Sequence, residues 1–480
     1  MPLQPFNATS GVGARYVLKR PSIWLGALIT AAVLMLLYLL SYLGGTVNPS
    51  GHLRDLPVAM VNQEQGKSPQ TAGQSAARQV STILTEAANR TGHVRLEPMT
   101  LDQAKAGMDT GRLFGTVVIP SGFTTCVNNL LSPDAATGTG RPTVDVLTNP
   151  RAGSMGASFV TGNLQPALLA ASHRIGDTLV ASPEAASASA AAHIALSDPI
   201  AVSISPYRPL PPHSALGISA FYFMLMIIMS GYMGSILINS AVGVALGQAL
   251  DVSGRTLRYR KPVAISRVQA FLAKSLISTA LAPLAATLLV VGCAFLGVDT
   301  PHMMQLWLFS TAAIAAVGIS AQALMAAFGQ LGQLMAMFIL LALALPSSGG
   351  TVPLQALPAF YRFLAHFEPA RQLNDGVRAI LYFDGRADAG LGRAVVAVSI
   401  AIVVSVAFGI LTCHRQDQAG PPLVPDHLLG TLNTLADQTS SAAPDSPEAD
   451  APSSAGATPH AEPASDRTRA PGDPAPTPNR

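Results

Sequence analysis

Long apolar runs constrain the fold of this 480-residue chain more than any other feature of its sequence. The first run, residues 22–43, would be about 33 Å long as an α-helix, enough to cross the hydrocarbon core of a bilayer. Five further runs follow at residues 215–244, 271–298, 304–328, 331–346 and 394–413. The sequence therefore predicts a polytopic α-helical membrane protein with six transmembrane helices.

Cationic residues near the ends of these runs predict the orientation. Three of them, ending with Arg20, precede the first run, and Arg415 follows the last. A basic loop at residues 248–267 joins the second and third runs. Because short loops rich in Lys and Arg stay on the cytoplasmic side, we expect segment 1–21, this loop and both termini to be cytoplasmic. The predicted location is the plasma membrane.

Residues 44–213 separate the first run from the five-helix membrane domain predicted at 214–413. Short apolar stretches alternate there with helix-like ones, which is typical of a small α/β domain. We predict helices at 71–88 and 154–180, and strands at 56–62, 93–97, 114–120, 142–148 and 200–205. The orientation makes this an extracytoplasmic domain inserted between the first two transmembrane helices.

The tail, residues 414–480, has a different composition. From about residue 416 it is rich in Pro, Ala, Ser and Asp, and it has too few apolar residues to offset the entropy lost on ordering. We predict a disordered cytoplasmic tail.

Catalytic and cofactor motifs are missing from the sequence. It contains no P-loop, no Gly-x-Ser-x-Gly elbow and no metal-binding spacing of His or Cys. The three cysteines indicate no disulfide framework. The net charge of +3 does not favour a nucleic-acid partner. We therefore expect neither an enzyme nor a bound cofactor.

Polar residues inside the predicted spans are rare, and we expect no Asp, Glu, Lys or Arg within them. Such an absence argues against a proton-driven antiporter, which needs ionisable groups at mid-membrane depth. Two amides, Asn239 and Gln322, interrupt the second and fourth spans. They either form hydrogen bonds between packed helices or line a substrate path.

The segment before the last span, residues 353–383, is unusually apolar for an external loop. We expect it to be re-entrant or to lie at the membrane interface. Its charged residues Glu368, Arg371, Asp375 and Arg378 have two interpretations. The helical spacing of the last three allows a structural salt-bridge set, and the functional alternative for the group is an external gate.

Three stretches resemble a known family. They are LPVAMVNQEQG after the first span, AKAGMDTGRLFGTVVIPSGF in the soluble domain, and SSGGTVPLQALPAFYRFLAHFEPARQLNDGVRAILYF before the last span. This pattern resembles the YhgE/Pip group of ABC type 2 membrane proteins and the related nitrosoguanidine-resistance membrane proteins. The resemblance implies a large external domain, a re-entrant hairpin, a homodimer or heterodimer, and ATP hydrolysis by a separate subunit.

The same resemblance suggests a role for the basic loop. Arg255, Arg258, Arg260 and Lys261 would then dock on the ATPase and couple it to the membrane helices. Positive-inside topology alone also places cations in this loop, so both interpretations stay open.

Two functions fit these features. The first is the permease subunit of an ABC type 2-like export system for hydrophobic or amphipathic molecules, energised by a separate ATPase. The alternative is a non-transporting receptor or scaffold that binds a partner through its extracytoplasmic domain. An ectoenzyme is the weakest hypothesis, because the external domain shows no catalytic pattern. In each case the lipid bilayer surrounds the apolar helices.

Overall fold

The structure is a computed structural model that describes residues 19, 21–64, 75–131, 141–183, 190–247, 251–253, 256–258 and 263–420. The predicted disordered tail begins at residue 414, but residues 414–418 continue the last helix, Gly392–Gln418, because the helical pattern extends past the apolar run. The tail from residue 421 onward and the N-terminal segment 1–18 lie outside the described residues.

The first helix, α1 (Pro21–Thr46), is apolar around its whole circumference. Side chains such as Leu28 and Met35 are 54% and 75% exposed, so no protein core covers them. A helix of this kind needs an apolar solvent, which a lipid bilayer supplies. Its C-terminal end contacts the rest of the chain, where Tyr361 Oη donates a hydrogen bond of 2.5 Å to the Leu40 carbonyl.

An α/β unit follows α1. Its five strands are β1 (Leu56–Asn62), β2 (Val94–Pro98), β3 (Gly115–Ile119), β4 (Thr143–Thr148) and β5 (Ala201–Pro206). The spatial order is β2-β1-β3-β4-β5, and every neighbouring pair is parallel except β3 and β4. All five predicted strands are confirmed, with bounds that differ by no more than one residue.

Helices cover both faces of this sheet. They are α2 (Ala76–Thr91), α3 (Leu101–Asp109), α4 (Phe123–Asn129), α5 (Ser154–Val180) and α6 (Ala190–Ser197). Val58 of β1 packs in the same core as Leu84 of α2, whereas the next residue, Ala59, packs with Met108 of α3. Burial on both faces explains why β1 and β3 read as continuous apolar runs.

The remaining helices form a bundle. They are α7 (Ser219–Ala245), α8 (Arg267–Phe295), α9 (Met303–Phe328), α10 (Gln330–Met337), α11 (Ala359–Leu364), α12 (Pro369–Tyr382) and α13 (Gly392–Gln418). Helix α9 is central and contacts α7, α8 and α13. Outer helix α8 exposes large apolar side chains such as Leu276 and Leu288, which are 70% and 66% exposed.

Five helices among the described residues are long and apolar enough to cross a membrane. They are Leu28–Thr46, Ser219–Ala245, Arg267–Phe295, Met303–Phe328 and Ala387–Gln418. The chain is thus a mostly helical protein whose length and composition indicate a membrane-embedded bundle.

The fifth predicted span, 331–346, takes a different form. It begins as α10, continues as a π-helical turn at Phe338–Ala342, and ends in a short helix at Ala344–Ser347. The apolar helix Gln330–Ala342 is about 20 Å long at 1.5 Å per residue, shorter than a bilayer core of about 30 Å. The described part of the chain therefore has five helices of spanning length where the sequence predicts six.

The α/β unit contacts the bundle near α12. Arg151 Nη1 donates a hydrogen bond of 2.9 Å to the Tyr382 carbonyl. The backbone N–H of Arg54 donates one of the same length to the Gln355 carbonyl. An ion pair between Arg208 and Asp384, at 3.6 Å, adds a third link. The α/β unit thus meets the bundle at the C-terminal end of α12 and at the segment before α11.

Candidate functional site

Helix α12 divides the four predicted gate residues between two cavities. Glu368, immediately before the helix, borders a cavity among the apolar helices. Arg371, Asp375 and Arg378 border a different, polar cavity next to the α/β unit. The last three residues lie on one helix, as their spacing predicts, but the structure does not bring all four side chains to one site.

The first cavity, here called the apolar cavity, has a volume of about 350 Å³ and lies between α9, α13 and the start of α12. Small side chains from α9 and α13 leave this space open. Its lining residues are Ala313, Ala316, Val317, Ser320, Leu340, His366, Phe367, Glu368, Pro369, Gln372, Leu373, Ala397, Val398, Ile400, Ala401 and Val404. A mostly apolar wall with a few polar groups is typical of small-molecule sites.

Glu368 gives the apolar cavity its chemistry. The side chain is only 4% exposed, and among the described residues its Oε1 has no hydrogen-bond partner. Burial raises the pKa of Glu368 to about 7, although a hydrogen bond from the Ala370 backbone opposes the shift. The carboxyl group can therefore hold a proton or pair with a cation near neutral pH.

Gln372 adds a second polar group, one helical turn after Glu368. Its Oε1 is buried and also has no partner among the described residues. Buried polar atoms are nearly always hydrogen-bonded, because leaving one unpaired costs about 1–3 kcal/mol. Two such atoms on one wall indicate that a polar group of a ligand, or water, completes the site.

The second cavity, here called the arginine cavity, has a volume of about 390 Å³ and lies between the α/β unit, α12 and the start of α13. Arg371 and Asp375 form the predicted i,i+4 pair, although their Nε–Oδ2 distance is 3.9 Å. Arg393 also faces the carboxylate of Asp375, at 3.6 Å. Burial raises the pKa of Asp375, whereas the nearby guanidinium groups of Arg378, Arg371 and Arg393 oppose this shift.

Arg378 has a different role from the predicted salt bridge. Its Nη1 donates a hydrogen bond of 2.8 Å to the Ala152 carbonyl, and its Nη2 donates one of 3.3 Å to the Gly350 carbonyl. The side chain therefore ties α12 to the α/β unit and to the segment before α11. This contact could not be read from helical spacing, because both acceptors are distant in sequence.

The third cavity, here called the lysine cavity, has a volume of about 300 Å³ at the opposite end of the bundle. Both predicted amides border it. Lys274 Nζ donates a hydrogen bond of 2.7 Å to Asn239 Oδ1, and Gln322 Nε2 donates one of 2.9 Å to the Ser235 carbonyl. The amides thus make interhelical hydrogen bonds and also line a cavity, so the two interpretations do not exclude each other.

Lys274 corrects one expectation. It lies within the predicted span 271–298 and within α8, so the prediction that the spans lack ionisable residues is wrong at this position. The Asn239 amide gives the ammonium group a partner. Because Lys274 is an ionisable group inside a span, the spans no longer argue against a proton-driven antiporter.

Helix α13 connects the three cavities. Arg393 lines the arginine cavity, Ala397 and Val404 line the apolar cavity, and Cys413 and Gln416 line the lysine cavity. At 1.5 Å per residue, the helix positions 393 and 413 are about 30 Å apart. The cavities therefore follow one another along the length of a single spanning helix.

Three of the four candidate coupling residues, Arg255, Arg260 and Lys261, lie outside the described residues. Arg258 ends a short strand, Thr256–Arg258, which pairs antiparallel with Asp251–Ser253. This loop connects α7 to α8, the helices that carry Asn239 and Lys274.

The described residues contain no group of three or more His, Cys, Asp or Glu side chains arranged to hold a metal ion. The three cavities offer carboxyl, amide, guanidinium and ammonium groups, together with the His366 imidazole and the Cys413 thiol.

The apolar helices and the α/β unit together define a class, the polytopic helical membrane proteins with a mixed α/β unit. Within that class, residues 27–407 match the family model described as "Protein of unknown function (DUF3533)". The chain belongs to this family. The comparison with curated proteins finds no match. The matched range includes the lining residues of the apolar and arginine cavities.

Proposed function

We propose that this chain is the permease subunit of an export system for hydrophobic or amphipathic molecules. One observation carries the proposal, the apolar cavity between α9 and α13 with the Glu368 carboxyl group in its wall, whose Oε1 has no hydrogen-bond partner among the described residues. A volume of about 350 Å³ falls within the range of about 300–1,000 Å³ that small-molecule sites occupy. An amphipathic cation fits this chemistry, with its apolar body against Ala and Val side chains and its charge near Glu368.

The bundle geometry supports the predicted membrane layout. Helix α10 returns from the lysine-cavity end of α9, and Tyr232 Oη in the middle of α7 donates a hydrogen bond of 3.2 Å to the Gln333 carbonyl. The chain then reaches Gly350, which packs against Phe221 at the start of α7. In this proposal the broken helix 330–347 completes a sixth passage, and the α/β unit is extracytoplasmic with both termini in the cytoplasm of a plasma-membrane protein.

The segment 353–383 is proposed to be the re-entrant hairpin. Phe360, Phe363 and Phe367 are 64%, 64% and 72% exposed around the turn between α11 and α12. Exposed aromatic side chains in such number fit contact with lipid rather than with water. The same hairpin carries Glu368 to the apolar cavity.

Energy is proposed to come from a separate ATPase that docks on the loop at residues 248–267. The resemblance to the YhgE/Pip group supports this arrangement and a dimeric assembly. The position of the loop between α7 and α8 supports it too, because movement of the loop would act directly on the helices that line the lysine cavity.

The test is equilibrium binding of tritiated tetraphenylphosphonium, a permanently charged apolar cation, to the purified full-length protein. Ala401→Phe fills the apolar cavity and should weaken binding at least about tenfold. Val403→Phe is the matched control, because Val403 lies on the same helix, is 67% exposed and does not line the cavity. Equal affinity of both variants, or no saturable binding at all, would reject this site.

A cleft in the α/β unit supports the alternative hypothesis of a receptor. A cleft of about 630 Å³ lies at the carboxyl ends of β1, β2 and β3, where Asn62, Thr100 and Ser121 line its wall. In α/β folds this edge of a parallel sheet, next to the point where strand order reverses, commonly binds ligands. A receptor would retain its function when Arg255, Arg258 and Arg260 are changed together to Ala, whereas a permease would lose it.

A further inference from the structure

The arginine cavity carries more positive than negative charge. Its lining includes Arg112, Arg371, Arg378 and Arg393 as cations. The anions in the lining are Asp375 and Asp388, which leaves an excess of two positive charges in one concave space. Positive charge in a concave, partly desolvated site attracts anions, because the walls reduce screening by water.

Two of these charges are already matched locally. Arg112 pairs with Glu97 at 3.1 Å, and Arg386 pairs with Asp388 at 2.7 Å. The remaining guanidinium groups, those of Arg371, Arg378 and Arg393, share the single carboxylate of Asp375. The two ion pairs that this carboxylate makes are long, at 3.9 Å and 3.6 Å.

Arg378 differs from the other two in its close contacts, which are with carbonyl groups. Among the described residues no carboxylate lies within 4.0 Å of its guanidinium, which instead donates to the carbonyls of Ala152 and Gly350. Its Nε is buried and has no hydrogen-bond partner in the same part of the chain. The cavity therefore holds one guanidinium with an unpaired N–H donor and two guanidinium groups in long ion pairs. Such groups can donate hydrogen bonds to a bound anion.

We infer that the arginine cavity binds a phosphate-bearing anion that bridges the α/β unit to α12 and α13. Guanidinium groups present planar forks of N–H donors, and several of them around one cavity match the oxygens of a phosphate. The bound anion would link elements that already meet at Arg378. It would therefore stabilise the junction between the α/β unit and the bundle.

Two sources supply this chemistry. Arg393 lies at the start of the spanning helix α13, a position where the headgroup of a phospholipid reaches the cavity from the bilayer. A soluble phosphate or phosphate ester reaches it from the aqueous side, because Arg393 is 67% exposed. The experiment separates the two by offering each source alone.

The experiment measures thermal unfolding of the purified full-length protein in an uncharged detergent. The exposed Cys126 is first blocked with N-ethylmaleimide, and a thiol-reactive fluorophore then reports the exposure of the less accessible thiols, of which Cys413 is 2% exposed in the folded protein. One arm adds inorganic phosphate against sodium chloride at the same ionic strength. The other adds short-chain phosphatidylglycerol against the corresponding diacylglycerol, which lacks the phosphate.

We expect a saturable rise in the unfolding midpoint in at least one arm. A rise with phosphatidylglycerol alone identifies a lipid headgroup, and a rise in both arms identifies a site open to free phosphate. Arg393→Gln should weaken the apparent affinity about tenfold, because a charge-assisted hydrogen bond is lost. Arg95→Gln, which removes a 59% exposed arginine outside the cavity, should leave it unchanged.

Two results would overturn the inference. One is a midpoint that responds to neither phosphate source beyond its control. The other is the same response in the wild type and Arg393→Gln, which would show binding elsewhere. Neither result bears on the apolar cavity, because tetraphenylphosphonium binding depends on a different set of residues.

Discussion

Single residues explain why only part of the candidate site could be found from the sequence. Asn239 and Gln322 stand out as amides in apolar runs, and both line the lysine cavity. Lys274 was missed because the 28-residue run around it remains strongly apolar when averaged. Arg393 was missed because it lies one residue before the predicted last span, where a cation is usual.

Glu368 provides a prediction at this scale. Its pKa of about 7 exceeds its ordinary value of 4.5, so the folded protein keeps the carboxyl neutral below about pH 7 and ionised above it. Tetraphenylphosphonium, whose charge does not titrate, should therefore bind about tenfold more tightly at about pH 8.5 than at about pH 5.5.

The measurement is the affinity as a function of pH for the wild type and Glu368→Gln. The variant keeps the shape of the side chain and cannot ionise, so its affinity should stay near the low-pH value throughout. A step of the same size in Glu368→Gln would assign the pH dependence to another group.

Secondary-structure elements were predicted well where local pattern decides them. Strands β1 and β3 were recognisable because their short apolar runs are buried by helices on both faces of the sheet. The form of the fifth span was not predicted, since the apolar pattern of residues 331–346 does not show where an α-helix changes to a π-helical turn. The π-helical turn at Phe338–Ala342 lies where the segment contacts α1 and α7.

The turn between α9 and α10 gives a prediction at the element scale. A Cβ at Gly332 would collide with the carbonyl of Leu324, which belongs to the rigid backbone of α9. Gly332→Ala should therefore destabilise the protein by about 1–3 kcal/mol, as expected for overpacking.

Gly292 in α8 offers the matched control. No atom lies within 4 Å of a Cβ built there, so Gly292→Ala should be neutral or slightly stabilising. The comparison is the midpoint of thermal unfolding for the two variants. Equal midpoints would show that α10 does not pack as closely on α9 as the structure places it.

At the scale of the whole molecule, the order of cavities along α13 is the main result that the sequence could not supply. Composition and periodicity identify helices, but they do not determine which helices are neighbours. The packing of α13 against the central helix α9 brings small side chains from distant segments together. The cavities arise from that arrangement.

We predict that the whole protein binds a separate ATPase. Gentle detergent purification of the tagged full-length protein should recover a stoichiometric ATPase, identified by mass spectrometry. Changing Arg255, Arg258 and Arg260 together to Ala should remove it, because the proposed dock depends on their charge. A preparation from functional cells that contains no ATPase would instead favour the receptor hypothesis.

Export can be tested by the rate at which cells lose tetraphenylphosphonium. Cells that lack the chromosomal copy, and carry the wild type, Ala401→Phe or Val403→Phe on a plasmid, are loaded with tetraphenylphosphonium and then energised. We expect faster loss of the cation with the wild type and Val403→Phe than with Ala401→Phe. The rate with Ala401→Phe should equal that of cells without the protein. Equal rates of loss in all four strains would contradict the proposed export.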